Sequence, residues 1–211
     1  MIKKKKTPTA REQGLLDEAL LAAVSEECGD GQGAQKARDL LRQAARPLGP
    51  RNAAGRDALM LAARKGLPDL VRLFLEAGAD PKNRDIWGHS ALGWAAIKGQ
   101  LACMEILLPV SETNLAKGDR EKDPLWLFIH NNWDEAGIGV LNLLLQKTDL
   151  SEEAGYGSKL LDDLGELSHQ EWIAHAVKNE MGRRSAQAES EVLSGSLAEP
   201  SQARGHKGLT L

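Results

Sequence analysis

Two stretches of this chain echo each other at a spacing of 33 residues, and that period restricts the fold more than any other feature. Gly55, Ala58, Leu59, Ala62, Ala63 and Gly66 recur as Gly88, Ala91, Leu92, Ala95, Ala96 and Gly99. A fixed period of this length means stacked units, none of which can bury its apolar face alone. Inside each unit the signals spell helix–turn–helix. Asp57 can accept the free amides of a first turn. Gly66 can take the left-handed conformation that ends a helix. Pro68 suits the first position of the next helix, where its missing N–H costs nothing. Leu70, Val71, Phe74 and Leu75 then form an apolar stripe up to Gly78. Asp80 to Gly88 is an extended finger leading to the following unit, whose cap is Ser90. Its core is Leu92, Ala95, Ala96, Met104, Leu107 and Leu108, with Cys103 buried among them.

The period extends in both directions with a weaker pattern. Upstream, helices over 11–28 and 34–46 are separated by a Gly-rich turn, and Pro47-Leu-Gly-Pro ends the pair. Downstream, Asp123-Pro124-Leu125 falls in register with Ser90-Ala91-Leu92. There Phe128-Ile129 replaces the Ala-Ala pair, which predicts that the neighbouring helices are pushed apart. An insertion of about four residues near Trp133 lengthens the turn between the two helices. The predicted units are 11–51, 52–84, 85–117 and 118–150, followed by a helical closing unit over 151–181. In the closing unit Leu160, Leu161 and Leu164 share a face, and Trp172, Ile173, Ala176 and Val177 point inward. Residues 1–10, with four consecutive lysines, are expected to be disordered. Residues 182–211 are expected to form a flexible tail, with a short helix over Arg184–Leu193.

The pattern Gly-x-x-Ala-Leu-x-x-Ala-Ala-x-x-Gly, followed by Leu-x-Leu and Gly-Ala-Asp, closely resembles the ankyrin repeat. The resemblance implies an all-α solenoid of about four helix–turn–helix repeats with finger loops, plus the closing unit. It also implies a protein-interaction module.

Composition narrows the alternatives. Aromatic residues make up only 4% of the chain, so Leu and Ala must build the core. A net charge of −3 gives no global field for nucleic acid. Cys28 and Cys103 make neither a disulfide framework nor a metal spacing, which points to a reducing compartment. The basic N-terminus lacks the apolar run of a secretory signal, and no segment is long enough to cross a bilayer. A cytoplasmic monomer without cofactor or metal is therefore expected. No catalytic motif occurs, and His169 and His175 are too far apart in register to share a helix face. The chain is accordingly read as non-enzymatic.

The family resemblance implies where a partner would sit. The concave side of such a stack is formed by the fingers and the outer face of each first helix. In repeat two those positions are Ala53, Ala54, Arg56, Arg64, Lys65 and Arg84. Repeat three supplies Ile86, Trp87, His89, Ile97, Lys98 and Lys117. Repeat four supplies Asp119, Arg120, Lys122, His130 and Asn131. Lys and Arg fill eight of these 17 positions, against roughly two expected from 27 in 211 residues. This is a basic groove on a mildly acidic chain, although cations after the Ala-Ala pair also serve solubility in such repeats. Ile86 and Trp87 fall at a fingertip. Trp87 is either an exposed anchor or folded back onto Trp126 or the neighbouring finger; Trp94 is assigned to the core. The groove suits an acidic protein segment. The alternative is nucleic acid, with cations on phosphates and Trp87 stacked on a base.

Overall fold

Each repeat begins where a short polar side chain closes the first turn of a helix. Asp57 accepts from Met60 N at 2.9 Å, Ser90 from Gly93 N at 3.2 Å, and Asp123 from Leu125 N at 2.8 Å. These three caps stand 33 residues apart, so the sequence period is a structural one. In the computed structural model, residues 9–26, 31–43, 50–113, 120–131, 137–148, 150 and 171–196 are described. They form α1 (Ala10–Glu26), α2 (Gln32–Arg42), α3 (Ala58–Lys65), α4 (Pro68–Glu76), α5 (Ala91–Ile97), α6 (Leu101–Leu107), α7 (Pro124–Asn131), α8 (Ile138–Lys147) and α9 (Glu171–Ser196). No strand occurs among the described residues, and the all-α solenoid expected from the period is the fold observed.

The chain alternates between two rows. Helices α1, α3, α5 and α7 form one row, and α2, α4, α6 and α8 the other. Every residue of Ala58–Ala63 and of Ala91–Ala96 is buried, because these helices have neighbours on three sides. The alanine pairs of α3 and α5 help the backbones of α3, α5 and α7 approach more closely than those of α4, α6 and α8. Unequal spacing bends the stack, with the closer row on the inside of the curve. That inner row, with the fingers that precede it, is the concave face.

Phe128 does not wedge α5 away from α7, contrary to the sequence-based expectation. These two helices pack about as closely as α3 and α5. The ring of Phe128 is instead fully buried against Gly137, where a Cβ would lie 2.6 Å from Cζ. The bulk is therefore directed between α7 and α8, and a glycine has removed the side chain it would meet.

Cations from later elements cap earlier helices. Lys65 Nζ donates to Ser25 O near the end of α1 at 2.8 Å. Lys147 Nζ donates to Leu108 O at the end of α6. Arg184 donates to Leu145 O and, at 2.9 Å, to Thr148 O at the end of α8. Positive charge at a helix C-terminus satisfies free carbonyls and complements the helix dipole.

Ile173, Ala176 and Val177 of α9 are buried, and this helix packs on α8. Where the sequence suggested a flexible tail from residue 182 with a short helix over Arg184–Leu193, α9 runs as one helix to Ser196. Glu180 bonds both Arg183, at 2.6 Å, and Arg184, at 2.9 Å, which ties successive turns together. Those two guanidiniums, Arg183 first, hold its carboxyl down at about 2. The N-terminal lysines, the Pro47-Leu-Gly stretch, the insertion near Trp133, the leucines at 160, 161 and 164 and the tail beyond residue 196 lie outside the described residues. The inward placement of Trp172 concerns a side chain that is likewise not described. Among the described residues no helix is long and apolar enough to cross a membrane.

Candidate protein-interaction surface

The fingertips of repeats two and three share one hydrogen-bond pattern, shifted by 33 residues. Asn52 Oδ1 accepts from Ala54 N and Arg56 N, each at 3.0 Å. Asp85 Oδ1 accepts from Trp87 N at 3.0 Å and His89 N at 2.9 Å. Arg51 Nη1 reaches Gly55 O, and Arg84 Nη1 reaches Gly88 O. Arg51 also bonds Arg84 O at 2.8 Å, and Ile86 N donates to Ala54 O, so adjacent fingers are joined. Gly55, at φ +73, is required for that junction, since a Cβ would lie 3.0 Å from the Ile86 side chain.

The patterns differ by one atom. Asn52 has an amide nitrogen where Asp85 has a second carboxylate oxygen, and the fully buried side chain of Asp85 uses that oxygen. Trp94 Nε1 donates to Asp85 Oδ2 at 2.8 Å. The Arg56 guanidinium comes within 3.6 Å of the same oxygen, and its Cζ lies 4.1 Å from the Trp94 ring centroid and 4.9 Å from that of Trp87. The Arg64 Cζ stands over the Trp94 ring at 5.6 Å. Trp87 meets Trp94 edge-on at 6.5 Å, and His89 does so at 5.3 Å. Cation–π contacts of this kind fix a guanidinium without consuming its donors. Arg56 Nε, Arg64 Nε and His89 Nδ1 are buried with no hydrogen-bond partner. Burial lowers the His89 pKa, and Arg56, Lys122 and Arg84 lower it further, while Asp85 opposes them. The net effect favours the neutral ring.

Trp94 is thus buried, at 9% exposure, yet it is also the hub of the concave face. The resemblance placed it in the core and gave no sign of the second role. The signal was present in the sequence as the change from Asn52 to Asp85 in register, beside a tryptophan. Trp87 is 49% exposed and Ile86 66%. The described ring contacts of Trp87 are with Trp94 and Arg56 on the concave side, whereas Trp126 stacks on His130 with centroids 3.7 Å apart.

The predicted partner-facing residues divide by what their side chains already do. Arg56 is held between the two indoles. Arg84 braces its own finger and lies 3.9 Å from Glu112. Lys65 caps α1. Ile97 is half-buried against the core, so it is not the exposed contact that was expected. His130 bonds Trp126 O at 2.8 Å on its own helix. Arg64 and His89 border Trp94. Lys98 is exposed at the end of α5. The Lys122 stem crosses Gly88, since a Cβ there would lie 2.7 Å from Lys122 Cδ. Lys117, Asp119 and Trp133 lie outside the described residues, as does the side chain of Arg120. Among the described residues no group of three or more His, Cys, Asp or Glu side chains could hold a metal ion.

Comparison with known proteins agrees with this architecture. A family profile described as ankyrin repeats (3 copies) matches residues 20–119. A relative, the neurogenic locus notch homolog protein 1 of Xenopus tropicalis, is 34% identical over 88 residues. That match covers 42% of this chain and 4% of the relative, so the chain spans only a small part of that protein's length. With helix pairs stacked at a period of 33 residues, capped in register and joined finger to finger, residues 20–119 form an ankyrin-repeat region.

Proposed function

We propose that the chain is a non-catalytic protein-interaction module whose concave face binds an acidic segment of another protein. Ankyrin repeats are generally protein–protein interaction modules and typically non-catalytic. The observation that supports the acidic partner is the cluster around Trp94. Arg56 and Arg64 lie against the Trp94 ring, Arg84 and Lys122 act on His89 beside it, and Lys98 is exposed at the end of α5, with Asp85 the carboxylate at Arg56, on a chain whose net charge is −3. Charge of one sign segregated on one face steers a partner of the opposite sign. Trp87 supplies the apolar contact around which such attraction becomes specific. Binding of this kind would let the protein inhibit or regulate its partner. The buried thiol of Cys103 suits a reducing compartment such as the cytoplasm.

Fluorescence anisotropy tests the reading with three labelled probes: a Glu-rich peptide, a Lys-rich peptide of equal length, and single-stranded DNA. Selective binding of the Glu-rich peptide, lost in Arg64→Glu/Lys98→Glu with the helical fold retained by far-UV circular dichroism, is the expected result. Lys65 is left intact in that variant because its ammonium caps α1. Preference for the DNA, weakening steeply with salt, would replace the acidic-protein reading with nucleic-acid binding. Equal binding of the two peptides would remove the electrostatic basis altogether.

A further inference from the structure

The concave face combines two chemistries at a fixed separation. One is the apolar fingertip of Ile86 and Trp87. It is rigid, because Asp85 Oδ1 holds the amides of Trp87 and His89, Gly88 N bonds Asp85 O, and Ile86 N bonds the preceding finger. The other is the cationic end of the inner helices, Arg64 at the last turn of α3 and Lys98 after α5. Trp94 contacts both Trp87 and Arg64. Its ring centroid is 6.5 Å from that of Trp87 and 5.6 Å from the Arg64 Cζ, so Arg64 is no more than about 12 Å from the fingertip ring; an extended chain advances about 3.3 Å per residue and covers a gap of up to that size in about three to four residues.

We propose that the segment recognised here is extended and bipartite: an apolar side chain covers Ile86 and Trp87, and an Asp or Glu about three to four residues away meets Arg64 and Lys98. The proposal rests on the acidic-partner reading and adds a register to it. Three features favour a protein segment with both parts over a uniformly acidic one. Ile86 and Trp87 are the large hydrophobics most exposed on this face, and an acidic side chain leaves them wet. Arg56, between the indoles, already has Asp85 as its counter-charge, so the cation nearest the fingertip is neutralised. Arg64 and Lys98 have no carboxylate among the contacts of the described residues. Charge is therefore unmatched at one end of the face and apolar surface at the other.

The register predicts a dependence on spacing that simple charge attraction lacks. Labelled peptides carrying one Leu and one Glu-Glu pair, separated by Gly-Ser spacers of about one to about seven residues, supply the test. Binding to the full chain should peak at a spacer that places the Glu pair about three to four residues from the Leu, and fall on the order of tenfold at the longest spacer. Trp87→Ala should weaken the best peptide by on the order of tenfold and flatten the profile, as loss of an anchor does. Arg64→Glu/Lys98→Glu should weaken every peptide. If every peptide binds more tightly than a neutral Gly-Ser control but equally at all spacings, and Trp87→Ala changes nothing, the bipartite register is wrong and the acidic groove stands. If none of these peptides binds more tightly than a neutral Gly-Ser control, both readings fall together.

Discussion

Replacing Asp85 by asparagine exchanges a single oxygen for an amide nitrogen of nearly equal size, yet neither orientation of the amide satisfies its surroundings. With the oxygen towards Trp87 N and His89 N, the amide faces the Trp94 Nε1–H and the Arg56 guanidinium, donor against donor. Flipped, it turns the same donors on the two backbone N–H groups of the finger. In the first orientation a buried indole N–H is left without an acceptor, which costs about 1–3 kcal/mol. The Arg56 side chain, only 15% exposed, also loses its counter-charge at 3.6 Å. Removing one member of a buried pair costs about 3–5 kcal/mol. The separation here is longer than a hydrogen bond, so the total should be about 3 kcal/mol. Urea unfolding followed by far-UV circular dichroism and by tryptophan fluorescence measures this as a shifted midpoint at unchanged slope. Because most of the cost passes through the indole N–H, Asp85→Asn should be milder by about 1–2 kcal/mol in a Trp94→Phe background. A loss below about 0.5 kcal/mol in the single variant, or no coupling in the double variant, would show that Asp85 does not organise the cluster.

Two further substitutions probe the frame. Gly137→Ala adds a methyl 2.6 Å from the buried Phe128 ring at a residue with φ −79, where the backbone is indifferent to the change. It should cost about 1–3 kcal/mol by overpacking, and Phe128→Leu in the same chain should recover part of it in thermal melts. Burial pushes the Cys103 thiol up to about 11, above the value of about 8.5 for a free cysteine. In that window the unfolded chain releases a proton that the folded chain keeps. The contribution is whole below about pH 8.5 and declines as pH rises towards 11, by roughly 1 kcal/mol per unit. Denaturation at graded pH should show a steeper alkaline loss in the natural chain than in Cys103→Ala; parallel curves would mean that the thiol is not shielded.

The scaffold was legible because its period, caps and breakers are local. Asp57, Ser90 and Gly66 act through bonds to residues three or four positions away, and the sequence displays such spacings directly. The extent of α9 was less legible, since its continuation past Gly182 depends on Glu180 bonding Arg183 and Arg184 in one network. The concave face was legible as a set of positions and not as a set of roles. Arg56, Lys65 and Arg84 read as groove cations, and nothing local reveals that their heads are held by indoles, by a helix end and by a finger carbonyl. Trp94 read as core because its ring is buried, while its one polar atom, Nε1, makes it the hub. Phe128 read as a wedge because its relief, Gly137, comes from the following helix.

Amide chemical-shift mapping tests the central claim most directly. Titration of the isotopically labelled protein with the Leu/Glu-Glu peptide of best spacing should shift the indole N–H signals of Trp87 and Trp94 together. The amides of 86–89, Arg64 and Lys98 should move with them. The His89 ring should titrate at higher pH in the complex, because an added anion offsets Arg56, Arg84 and Lys122, which depress its pKa in the free protein. Shifts gathered instead on the outer groove between α2 and α4, around Leu41, Arg72 and Leu73, with the two indoles and His89 unmoved, would contradict the account.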